Sequence, residues 1–167
     1  MRVLLLTIFI FTFLQASSAK AQETQTLSST IGISTRIAQS IELITVKSMT
    51  FGNTQPGQEE IYVNPVVDAN AGYMIAVGTP EAEFRLNFLQ ERRLSRIEGP
   101  GFLIFTYELS GNDIEDQSSS EVIENENQTL KFNLDGEYHI WVGGIVVLTN
   151  AQPGNYEGDF TIEIDYI

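Results

Sequence analysis

Apolar and polar residues alternate without a break from Phe160 to Tyr166, placing Phe160, Ile162, Ile164 and Tyr166 on one side and Thr161, Glu163 and Asp165 on the other. A period of two belongs to a half-buried β-strand, because successive strand side chains point to opposite faces of the sheet. A similar alternation links Leu27, Ser29, Ile31, Ile33, Thr35 and Ile37. The segment Ile41–Val46 stays apolar but shifts phase between Leu43 and Ile44, which predicts a bulge or a change of sheet. Further strands are predicted at Glu60–Asn64, which ends at Pro65, and at Tyr73–Val77, Phe84–Phe88 and Phe102–Leu109. Turn residues cluster between them at Phe51–Gly57, Gly78–Pro80 and Gly99–Gly101. Glu91–Arg96 has the composition of one helical turn, stopped by Gly99 and Pro100.

One hairpin stands out. Leu130, Phe132 and Leu134 alternate inward, Asp135-Gly136 suits a two-residue type I′ turn, and Tyr138, Ile140 and Val142 alternate inward again. Gly143-Gly144 then lets the strand bend before Ile145–Leu148. Turn signals recur at roughly the 8–12 residue spacing of sandwiches, so the expectation is an all-β, immunoglobulin-like antiparallel β-sandwich of about eight or nine strands.

The N-terminus adds a compartment. Arg2 precedes an apolar run, Val3–Leu14, and Ala19-Lys20-Ala21 is a small-x-small cleavage site, so residues 1–21 read as a signal peptide and 22–167 as one exported domain. The run is short for a bilayer span, so no membrane insertion is expected once the signal is removed. The chain has no cysteine, which excludes both a disulfide framework and a lipid on a cysteine. Its formal charge is −13, and cleavage would remove two of nine basic residues and none of the 22 acids. Such a chain is repelled by nucleic acid and by anionic membranes, and its acidity serves solubility first.

The order Met49-Thr50-Phe51-Gly52, Gly57, Ile61-Tyr62-Val63-Asn64-Pro65, Val142-Gly143-Gly144 and Gln152-Pro153-Gly154-Asn155-Tyr156-Glu157-Gly158, before a closing alternating strand, resembles secreted bacterial domains of domain-of-unknown-function family 4402. The resemblance spans about residues 40–167. It departs at residues 108–128, which are longer and more acidic than that pattern. It implies an immunoglobulin-like sandwich and export, and carries no catalytic residues. A looser resemblance joins the chain to pilin subunits of the chaperone–usher and spore-coat types. Those subunits also end in an alternating strand with a penultimate Tyr, here Tyr166, and carry a Gly fourteen positions from the end, here Gly154. That resemblance implies assembly by β-strand donation. Ile31 and Ile33 would then insert into a neighbour's groove, and Gly154, Tyr156 and Tyr166 are the further interaction candidates. The cysteines usual in such subunits are missing.

Candidate chemistry is sparse. His139 is the only histidine, and the hairpin alternation puts it with Trp141 on the face opposite Tyr138, as a surface side chain. No nucleophile elbow, phosphate loop or zinc pair is present. No enzyme activity and no cofactor is therefore expected. Asp113, Glu115 and Asp116 form a weak calcium candidate in an acidic loop that lacks EF-hand spacing. Trp141 and Tyr62 offer outward aromatic faces that suit a carbohydrate. Arg85, Arg92, Arg93 and Arg96 lie close together while Glu98–Thr129 has no base, a polarity that suits head-to-tail association or pairing within the chain. The resulting expectation is a non-enzymatic structural or cell-surface protein in the periplasm, at the surface or outside the cell. Its partners would be a second copy or a surface assembly, with strand donation and ligand binding as the alternative roles. Intact mass spectrometry of the exported protein should give an N-terminus at Gln22; retention of residues 1–21 would overturn the signal assignment.

Overall fold

A computed structural model describes residues 29–35, 41–52, 54–55, 57–124 and 128–167, with the side chains of 29–35 excepted. The expected signal peptide and the expected start at Gln22 lie outside the described residues. Among the described residues eleven strands follow one another: β1 Ser29–Thr35, β2 Glu42–Lys47, β3 Glu60–Val63, β4 Gly72–Val77, β5 Glu83–Phe88, β6 Glu91–Arg96, β7 Phe102–Asn112, β8 Glu121–Ile123, β9 Leu130–Lys131, β10 Glu137–Val147 and β11 Tyr156–Tyr166. The hydrogen-bonded path runs β2-β4-β10-β7-β6-β11-β5-β9, with β3 on β10, β8 on β7 and β1 on β11. Among the described residues only the β1–β11 pairing is parallel.

This path doubles over into an antiparallel β-sandwich. One layer holds β2, β4, β10 and β7 with β3 and β8; the other holds β9, β5, β11 and β1; β6 belongs to both. Between the layers, Phe84 of β5 meets Tyr138 of β10 edge-on at 5.3 Å, and Phe160 of β11 stacks on Tyr107 of β7 at 4.2 Å. Met74, Leu109, Ile140, Ile162 and Leu94 fill the space around these rings and are fully or almost fully buried. Alternation decides which residues enter: in β7 the odd positions from Leu103 to Leu109 are inward, and Phe102, Ile104, Thr106 and Glu108 face out.

Five expectations are corrected. Glu91–Arg96 is strand β6 rather than a helical turn, because Leu94 and its neighbours pair with both β7 and the start of β11. The hairpin turn is not type I′. Gly136 N–H donates to the Asn133 carbonyl (3.1 Å) and Asn133 N–H to the Glu137 carbonyl (3.0 Å), leaving a three-residue loop in which Gly136 takes the positive φ of 80°. The Asn133 carboxamide oxygen fastens it by accepting from the Asp135 and Glu137 N–H groups at 2.9 and 2.8 Å. Leu134 consequently sits at the loop tip, 78% exposed, instead of pointing inward. The bulge in β2 lies between Thr45 and Lys47, not at Leu43–Ile44. The strand count exceeds the expected eight or nine because the run 83–96 divides into β5 and β6 and the acidic segment contributes β8. Gly143-Gly144 marks a change of partner: β10 pairs with β4 up to Val142 and with β3 from Gly144 onward. The Val63 and Thr106 carbonyls approach these glycines too closely for a Cβ.

Phe160→Ala should cost about 3–5 kcal/mol in urea unfolding, because it removes a fully buried ring from between Tyr107 and Phe88. Leu134→Ala should stay within about 0.5 kcal/mol. Equal losses at the two positions would contradict the inward and outward assignments.

Candidate functional site

The first and last described strands meet at one seam. β1 lies parallel to β11, with Ser29 opposite Tyr156 and Thr35 opposite Ile162. Ile31 is in register with Gly158 and Ile33 with Phe160; their side chains lie outside the described residues. β11 is thereby paired on both edges, with β1 on one and with β5 and the end of β6 on the other.

Gly154 and Tyr156 belong to a clamp within the same chain. The Arg96 guanidinium passes between Gly99, Gly101 and Gly154, and its Nη1 donates to Gln152 Oε1 at 3.0 Å. A Cβ on Gly154 would lie 2.5 Å from Arg96 Nε. Tyr156 is buried and donates its hydroxyl to the Gln152 carbonyl at 2.7 Å, while Ile97 N–H donates to the Asn155 carbonyl at 2.9 Å. The Gln-Pro-Gly-Asn-Tyr motif therefore locks the β6–β7 turn to the start of β11. Tyr166 does the same at the other end: its hydroxyl accepts from Thr79 N–H at 2.8 Å, and its half-buried ring leans on Phe132.

The outer face of the β4–β10–β7 layer carries a second constellation. His139 is only 4% exposed, so the expected surface histidine is corrected to a buried one. Tyr73 of β4 stacks on Trp141 at 5.2 Å, and the Tyr73 hydroxyl shares a 2.7 Å hydrogen bond with His139 Nδ1. His139 Nε2 lies 3.9 Å from the Glu137 carboxylate. Trp141 does lie on the face opposite the core, but it is buried and offers no open stacking surface. The acidic loop crosses this face. Ser120 Oγ donates to Ser110 Oγ at 2.8 Å, opposite Trp141, and the Gln117 amide donates to the Pro65 and Asp68 carbonyls at 2.8 and 3.0 Å.

Asp113, Glu115 and Asp116 are not brought together as a cage. Asp116 caps a single 3₁₀ turn, Gln117–Ser119, accepting from Ser118 N–H at 3.0 Å and Ser118 Oγ at 2.7 Å. Hydrogen bonds from Ser118 and Ser119 hold its carboxyl below the ordinary value. Glu115 acts on Tyr73, and the Asp113 backbone carbonyl accepts from the Asn133 amide. No group of three acidic or histidine side chains placed to hold a metal ion occurs among the described residues.

The arginines also depart from expectation. Among the described residues the ion pairs are Lys131–Glu81 at 3.3 Å and His139–Glu137, and neither involves arginine. Arg93 instead covers the Phe102 ring at 3.9 Å, and Arg92 Nε is buried beside the core. Tyr62, expected outward, is outward and donates to Glu108 at 2.8 Å. The Arg96 cradle and the Tyr73–His139 pair were not foreseeable from sequence, since both depend on which strands are neighbours. No described helix is long and apolar enough to cross a membrane. Neither protein-family models nor curated proteins give a match to the chain.

Gly154→Ala should cost about 1–3 kcal/mol by overpacking, and adding Arg96→Ala should recover part of that loss in a double-mutant cycle. Strict additivity would contradict the clamp. A second expectation concerns alkali. Burial, followed by the Glu115 charge and hydrogen bond, pushes Tyr73 up from 10.0 to about 12. Burial, then Asp113 and Glu121, pushes Tyr138 up to about 12. Burial also raises Tyr107, whose hydroxyl has no hydrogen-bond partner among the described residues. The folded state holds these protons longer than the unfolded chain, so their contribution is complete below about pH 10 and is lost as pH climbs toward 12. Tyr73→Phe should flatten that loss, by less than about 1.4 kcal/mol per pH unit, in urea titrations between those values.

Proposed function

We propose that this protein is an exported, non-enzymatic structural protein of the bacterial periplasm, cell surface or exterior, related to the family-4402 sandwiches. Its working parts are backbone and apolar surface rather than a catalytic group. The observation that carries the reading is the β1–β11 seam, in which seven residues from near the start of the chain complete the last strand through backbone pairing. The groups where chemistry would be sought support it further. The histidine holds Tyr73, and Asp116 holds its own turn.

A second reading is favoured by one feature of the same seam. Among the described residues β1 pairs with β11 alone, in parallel, so the edge it covers is one that a strand from another molecule can fill. In that reading the protein is a pilin-like subunit, and β1 is the donated strand.

The test compares the exported chain with one that begins at Ser40. A self-completed protein gives a discrete species by light scattering, and the shortened chain loses stability that a peptide of residues 26–38 restores in a concentration-dependent way. A ladder that survives detergent without boiling would establish donation instead. A shortened chain as stable as the full one would overturn both readings.

A further inference from the structure

The uncovered half of the outer face points to a second copy of this chain. Beyond Gly143 the acidic loop no longer crosses the layer, and a row of outward side chains lies in the open. In register across four neighbouring strands stand Glu60 of β3 opposite Val147 of β10, and Ile104 of β7 opposite Arg93 of β6. The β10–β7 pairing of Val146 with Phe105 puts Val147 and Ile104 side by side. Val147 is 51% exposed, Ile104 39%, and the flanking Tyr62 and Phe102 45% and 50%. Contiguous apolar side chains on an otherwise strongly acidic protein mark an interaction surface rather than scattered exposure.

Charge at the two ends of the row identifies the occupant. Glu60 closes one end and Arg93 the other, and neither forms an ion pair among the described residues. Arg93 lies flat on Phe102, which keeps its guanidinium over the face. A two-fold axis lying in the interface, parallel to the strands and between β10 and β7, reverses the row onto itself. Glu60 then faces the partner's Arg93, and Val147 faces the partner's Ile104. Tyr62 is carried toward the partner's Glu91, since Tyr62–Ile145 and Thr106–Glu91 form the adjacent row. Such self-complementarity is what a closed, isologous dimer requires, and it counts every contact twice. We propose that this face forms a two-fold dimer of the chain, with the β3–β10 side of one copy on the β7–β6 side of the other. The proposal goes beyond the strand seam, which lies in the other layer. A dimer stops at two, whereas strand donation continues.

Sedimentation velocity on the exported chain with β1 in place tests it. The wild-type chain should run as a concentration-dependent dimer. Arg93→Glu and Glu60→Arg should each raise the dissociation constant at least about tenfold, because each sets like charges against each other at two symmetric places. The combined reversal should restore it to within about threefold, since the opposed pairs are re-formed with exchanged signs. Ile104→Asp should give a monomer with an unchanged circular dichroism spectrum. A wild-type chain that stays monomeric leaves the face to another occupant and overturns the proposal. So does a double reversal that fails to rescue, or a dimer indifferent to all four variants.

Discussion

One run of chain, residues 83–96, ties the two layers together, and the rest of the sandwich is arranged around it. Its first half pairs with β11 as β5; its second half pairs with β7 as β6 and touches β11 again at Ser95 and Arg96. From Phe88 to Ser95 the run advances seven residues while β11 retreats five, from Ile162 to Glu157, so two extra residues are absorbed at Leu89-Gln90. Two is the number that matters. A slip of one would turn every later side chain to the opposite face, whereas a slip of two keeps Phe84, Leu86 and Phe88 on the same side as Leu94. The Gln90 carbonyl accepts from Tyr107 N–H at 2.7 Å, fixing the joint to β7 directly behind the Tyr107–Phe160 stack.

Much of this architecture could be read from alternation alone. The closing strand, the Phe102 segment and the stop at Pro65 appear where period and punctuation put them, whereas Gly143-Gly144, expected as a bend, turns out to mark a change of partner. What escaped did so for physical reasons. Glu91–Arg96 has only Leu94 as a fully buried residue, so its polarity resembles a helix surface until the neighbouring strands are known. The loop at Leu134 turned on a single conformation, since Asp135-Gly136 serves two turn types equally well and the Asn133 side chain chooses between them. His139 was placed on the correct face and given the wrong environment. Alternation tells which side a residue takes but not whether a distant loop covers that side.

The motif that suggested assembly has an internal use as well. Gly154 and Tyr156 hold Arg96, an arginine whose carbon chain and guanidinium are packed by three glycines rather than matched by an acid. Arg96 is only half-buried and its Nη1 bond to Gln152 is exposed, so an acidic protein keeps this basic side chain in its frame with water, rather than a buried ion pair, around part of its charge. The same economy applies on the outer face, where Tyr73, His139 and Trp141 stack as a layer and the acidic loop closes over them with neutral hydroxyl and amide contacts.

The parallel direction of β1 against β11 has a mechanical consequence. Tension entering ahead of Ser29 and leaving behind Tyr166 pulls the two strands lengthwise past each other. Their backbone hydrogen bonds lie across that direction, so the load falls on the whole set at once instead of opening them one after another like a zip. An antiparallel seam between the same two points would peel from one end. The sandwich is therefore built to yield late when stretched between these two strands, and that resistance lies where the first and last described strands run side by side.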